Sequence, residues 1–135
     1  MRILRELKQS RECSGQTLKE FYVEVSQQTP HLTDIANEMI ALLDHLESLS
    51  DPRTLYALTS HTDLWFVSNT IYGNDVLWLV KIGTNGMGWY NILCWMPDHL
   101  APWKNAFIQG NAFSKVEVVK MILSALDFVK EHMIN

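Results

Sequence analysis

The sequence contains only two cysteines, Cys13 and Cys94, and neither belongs to a C-x-x-C motif. Its five histidines form no H-x-H, H-E-x-x-H or spaced Cys/His pattern. These absences argue against a disulfide scaffold and a zinc site, so we expect no metal and no cofactor. Cys94, between Leu93 and Trp95, is typical of a small buried apolar residue rather than a nucleophile.

Long apolar runs and dense basic clusters are also missing. No stretch approaches the ~18–20 apolar residues of a membrane helix, and the first residues alternate charged with aliphatic side chains instead of opening a secretory signal. The eleven Lys and Arg are scattered, which disfavours a phosphate-binding surface. We therefore expect a cytoplasmic protein that binds neither membrane nor nucleic acid.

Recognisable catalytic motifs are absent too. The glycine-rich segment 83–88 lacks phosphate-loop spacing and precedes a predicted strand, so it is typical of a hairpin turn. No G-x-S-x-G motif occurs. His61 with Asp63, and His99 with Asp98, lie in predicted loops and could form a base with its orienting carboxylate if those loops met. A small enzyme is one alternative function.

The net charge of −4 is concentrated in one segment. Residues 31–52 contain five acidic residues and no Lys or Arg, whereas the flanking segments nearly balance. Such a patch steers association with basic partners. A second alternative is therefore an acidic, immunity-like inhibitor or regulator that neutralises a basic protein. Its electrostatic residues would be Asp34, Glu38, Asp44 and Glu47.

The chain length and apolar content predict one α+β domain spanning residues 1–135. Short helices are expected from Ile3, Leu4 and Leu7 and after the capping-box pattern Thr17-x-x-Glu20. An apolar stripe over 35–49 predicts a longer helix that packs in the core or pairs in a homodimer. Residues 55–96 predict an antiparallel meander of about four strands, and a helix from Ser114 to about His132 is expected to pack on this sheet. The strands are expected at 55–59, 64–68, 76–82 and 89–96, with turns at 60–63, 72–75 and 83–88.

Tryptophan is the unusual component: all five lie between residues 65 and 103. Strand alternation places Trp89 and Trp95 on one sheet face and Tyr90 and Cys94 on the other. Either the N-terminal helices cover the second face, or an aromatic face remains for a ligand or partner. Residues 97–113 predict a long connection with a helical turn or short strand near 103–109, and long connections often bind ligands.

The leading prediction is a non-enzymatic binding module. Its aromatic sheet face and the 97–113 loop would bind a hydrophobic or cationic small ligand, or a protein partner. The expected anchoring residues are Trp65, Trp89, Trp95, Trp103 and Phe107.

Overall fold

A computed structural model describes residues 1–5, 16–67 and 78–133 of the chain. It is an α+β structure with the strands β1 (Arg2–Arg5), β2 (Thr54–Ser60), β3 (Asp63–Val67), β4 (Trp78–Thr84), β5 (Tyr90–Trp95) and β6 (Phe107–Ala112). The helices are α1 (Leu18–Gln28), α2 (Thr33–Glu47), preceded by a 3₁₀ turn at Pro30–Leu32, and α3 (Lys115–Met133). None of the described helices is long and apolar enough to cross a membrane.

The six strands form one mixed sheet in the order β1-β2-β3-β4-β5-β6. Strands β2 to β6 make the antiparallel meander, while β1 pairs in parallel with β2 through Arg2↔Thr54 and Arg5↔Ala57. The four predicted strands are thus confirmed. The sheet has six strands instead of about four, because β1 and β6 extend it at both edges. The predicted turn at 72–75 lies outside the described residues.

The prediction of a first helix is wrong for residues 2–5, which form β1; the remainder lies outside the described residues. Ile3 and Arg5 point inward at a period of two, and both are buried. The Arg5 guanidinium donates to the Gln16 carbonyl at 2.8 Å and lies 5.5 Å from the Phe21 ring centre. The buried Arg5 hid the strand alternation in the sequence, because a charged side chain normally indicates the solvent face.

All three helices pack on the same face of the sheet. One core cluster joins Tyr22 of α1, Leu42 of α2 and Ile122 of α3 to Phe66 and Ile82 of the sheet. The apolar stripe of α2 packs into this core, since Met39, Leu42 and Leu46 are fully buried within the chain. The predicted alternative, in which this stripe pairs with a second copy, is therefore not supported by the fold.

Local signals explain the helix ends. Thr17 caps α1 by accepting from the Glu20 N–H at 3.1 Å, and Glu20 accepts from the Thr17 N–H at 3.2 Å, which completes the predicted capping box. Ser114 likewise accepts from the Glu117 N–H at 3.1 Å at the start of α3. α2 begins without a side-chain cap, because the 3₁₀ turn runs directly into the helix with Leu32 at the cap position.

Candidate functional site

The sheet face opposite the helices carries a continuous group of aromatic side chains. Trp65 of β3 and Trp95 of β5 meet with ring centres 5.5 Å apart, and Trp95 lies 5.8 Å from Phe107 of β6. We call these three residues the aromatic strip. The alternation of side chains along each strand places these rings on one face. Leu64, Phe66 and Cys94 point toward the helices and are buried, so Trp65 and Trp95 point to the opposite face.

The aromatic strip remains accessible in the described parts of the chain. Trp65 and Trp95 are half-buried and Phe107 is 50% exposed. None of the three belongs to the core cluster formed with the helices. A partly exposed group of three aromatic side chains is the kind of surface that anchors protein interfaces.

A lysine already occupies one end of the aromatic strip. The Lys81 ammonium lies 5.3 Å from the centre of the Trp65 ring and 3.2 Å from a carboxylate oxygen of Asp63. Trp65 is thus engaged by a cation of the chain itself. This arrangement disfavours the cationic small ligand among the expected ligands.

The other two predicted anchors do not join the aromatic strip. Trp89 lies at the β4–β5 hairpin, where its carbonyl accepts from the Thr84 hydroxyl at 2.8 Å. It is six residues from Trp95, about 20 Å at the rise of a strand. Trp103 is 71% exposed in the connection between β5 and β6. The predicted short strand in this region forms at Phe107–Ala112, later than expected, and completes the sheet edge.

The acidic residues of α2 are partly neutralised within the chain. Lys19 of α1 pairs with Asp44 at 2.6 Å and with Glu47 at 3.1 Å, and these hydrogen bonds raise the pKa of its ammonium. Glu38 accepts a 2.6 Å hydrogen bond from the buried Tyr90 hydroxyl. Asp34 is exposed in the first turn of α2. The four predicted electrostatic residues therefore do not present one uniform acidic surface.

The two predicted His/Asp loops lie at opposite ends of the sheet. The register aligns Leu64 with Ile82 and Ile82 with Ile92, so His61 and Asp63 lie near the beginning of β5. His99 and Asp98 follow the end of β5. The strand length between them prevents a direct base–carboxylate pair. Nor do three His, Cys, Asp or Glu side chains cluster as metal ligands within the ranges that the structure describes.

A groove that the sequence did not reveal lies on the helix side of the sheet, between β6 and α3. It has a volume of about 360 Å³ and apolar walls that include Ile92, Cys94, Ile108, Met121 and Phe128. Lys120 and Ser124 of α3 both line this groove, although polar positions of an amphipathic helix ordinarily indicate its solvent face. Helix periodicity alone could not show that the edge strand β6 leaves space beneath that face.

No protein-family model matches the chain, and comparison with curated proteins and with solved structures finds no significant match.

Proposed function

We propose that this protein is a non-enzymatic interaction module that binds a protein partner through the aromatic strip and the adjoining strand β6. The observation that carries the proposal is the contact chain Trp65–Trp95–Phe107 on the sheet face away from the helices. Trp and Tyr side chains dominate binding hot spots because they bury a large area with little loss of conformational freedom.

Shape favours a protein partner over a small molecule for this surface. Small-molecule sites are concave and enclose most of their ligand, whereas the aromatic strip lies on one face of an open sheet and the 360 Å³ groove lies on the other. An aromatic surface on an open sheet face suits an apolar partner surface.

Strand β6 extends the proposed interface at its edge. The Met96 N–H donates to the Ala106 carbonyl at 3.0 Å, so antiparallel alternation directs the N–H groups of Phe107, Gln109 and Asn111 away from β5. β6 carries no charged residue and no proline, the usual protections of an edge strand. A partner strand could pair with this edge while its side chains contact Phe107.

Site-specific photo-crosslinking tests the proposal. A photoreactive phenylalanine analogue is placed at Phe107, and a matched control places it at Val23, which is 41% exposed on α1, on the other side of the sheet. We expect one protein to be crosslinked from Phe107 and not from Val23. Binding of that purified protein should fall at least thirtyfold with Trp95→Ala and change less than twofold with Val23→Ala.

Ionic strength separates this proposal from the acidic-neutraliser alternative. Contact through the aromatic strip predicts an affinity that changes little between 50 and 500 mM salt, because apolar burial is not screened. An affinity that collapses with salt and with Asp34→Asn, while Trp95→Ala has no effect, would transfer the function to α2.

A further inference from the structure

The groove beneath strand β6 lies beside the point where Met121 of α3 rests on Gly110. Gly110 has no side chain, and a Cβ built at this position would overlap the terminal methyl group of Met121. Elsewhere α3 packs closely on the sheet through the fully buried Val118 and Ile122. At β6 the contact is looser: Ile108 is 49% exposed, and Met121 and Phe128 are only half-buried.

The walls of the groove are apolar and its volume suits a small ligand. Cavities that hold small molecules measure ~300–1,000 Å³, and this one measures about 360 Å³. Cys94 contributes a thiol whose pKa is raised to about 11 by burial, so the wall is uncharged at neutral pH. Met121 provides a flexible thioether that can adjust to the shape of a guest.

One positive charge stands at the rim. Lys120 is the only charged residue of the described groove lining, and Ser124 lies one turn further along the same side of α3. Within the described residues Lys120 forms no ion pair, whereas Lys19 and Lys81 both do. Glu117, on the same helix, accepts from the Phe113 N–H at 3.0 Å.

We propose that the groove binds a free, straight-chain fatty carboxylate, with its hydrocarbon chain against Ile92, Ile108 and Phe128 and its carboxylate at Lys120 and Ser124. The complementary charge at the rim selects an anionic head group, and the apolar walls select an alkyl chain. The site lies on the opposite side of the sheet from the aromatic strip and does not depend on that proposal.

Calorimetric titration with carboxylates of eight to sixteen carbons tests the site. Affinity should rise about fourfold per added methylene until the groove is full, and then level off. The alcohol of equal length should bind about fivefold more weakly than the carboxylate, because it loses the ion pair with Lys120. About fivefold is the upper end of what an exposed ion pair contributes to affinity. Lys120→Met should remove this preference, and Lys130→Met, an exposed lysine of α3 outside the groove, should keep it.

Two further measurements locate the ligand. Ala125→Leu, which adds bulk to the groove lining, should weaken binding of the twelve-carbon carboxylate at least tenfold. The second measurement uses a Cys13→Ser variant that keeps Ala125, so that Cys94 is its single cysteine. The twelve-carbon carboxylate should slow alkylation of Cys94 in this variant. This second measurement tests the site even if Ala125→Leu fails to fold.

Several outcomes would overturn the proposal. They are the absence of both binding heat and Cys94 protection at 1 mM carboxylate, equal affinity for the alcohol, or equal losses in Lys120→Met and Lys130→Met. Binding that appears only above the micelle concentration, or only to anionic phospholipid vesicles, would assign the effect to a lipid surface instead of a bound monomer.

Discussion

At the scale of single residues, Lys81 places an ion pair beside the proposed interface. Its ammonium lies over Trp65 and is balanced by Asp63, so the strip contains a neutral ion pair beside its rings. Alternation could predict from the sequence that Trp65 and Trp95 share a face. It could not predict that a lysine from the central strand would cover one ring, because that contact depends on the β3–β4 register, Trp65↔Lys81.

Cys94 gives a prediction at this scale. Burial disfavours its thiolate and raises the pKa to about 11. In a Cys13→Ser background, the rate of iodoacetamide alkylation should therefore keep rising about tenfold per pH unit from pH 7 to 10. Measured rates that level off near pH 8.5, with circular dichroism showing an intact fold, would contradict the buried position of this thiol.

At the scale of secondary-structure elements, the β4–β5 hairpin touches the beginning of α2. Gly86 has φ +80° and lies so close to the helix that a Cβ would stand 2.8 Å from the backbone of Asp34 and Ile35. Gly88 has φ +84° but would point a Cβ into open space. The two glycines thus share a conformation that side chains disfavour, while only Gly86 also lacks room.

This difference predicts the outcome of a matched pair of substitutions. Gly86→Ala should lower the free energy of unfolding by about 2–3 kcal/mol, since it adds a backbone clash to the strain of positive φ. Gly88→Ala should cost about 1 kcal/mol from strain alone. Urea denaturation of both variants measures the difference, and equal losses would show that the hairpin does not press against α2.

The sequence predicted most strongly those elements whose signals are local. The capping box at Thr17, the Ser114 cap and the alternation of residues 90–95 all appear in the structure. β1 and β6 were misread or misplaced because edge strands lack a complete hydrophobic pattern, and their identity depends on neighbours far away in the chain. The groove could not be predicted either, because its lining comes from β5, β6 and α3, and the spacing of those elements depends on the whole fold.

At the scale of the whole molecule, Arg53 joins the N-terminal and C-terminal halves. Its guanidinium pairs with Asp51 at 2.9 Å and with Asp127 of α3 at 2.7 Å. Hydrogen bonds from Arg53 lower the pKa of the Asp51 carboxyl to about 2. A carboxyl whose folded pKa lies below its unfolded value of about 3.9 stabilises the fold above that value. That stabilisation is lost as the pH falls towards 2.

Acid titration of stability tests this connection. Asp51→Asn should lower the free energy of unfolding at pH 7, and the gap to the unsubstituted protein should shrink between pH 4 and pH 2. Asp98→Asn removes the same charge from an exposed turn and serves as the control. A gap that stays constant over this interval would mean that the Asp51–Arg53 pair does not contribute to acid sensitivity.

The parallel strand β1 bears on how the chain acquires its fold. The antiparallel strands join neighbours along the sequence, whereas β1 pairs Arg2 with Thr54 across both N-terminal helices. Closing so long a loop costs more chain entropy than forming a hairpin, and non-local pairings form slowly. We therefore expect the meander to be the early kinetic nucleus and β1 to dock in the last step of refolding.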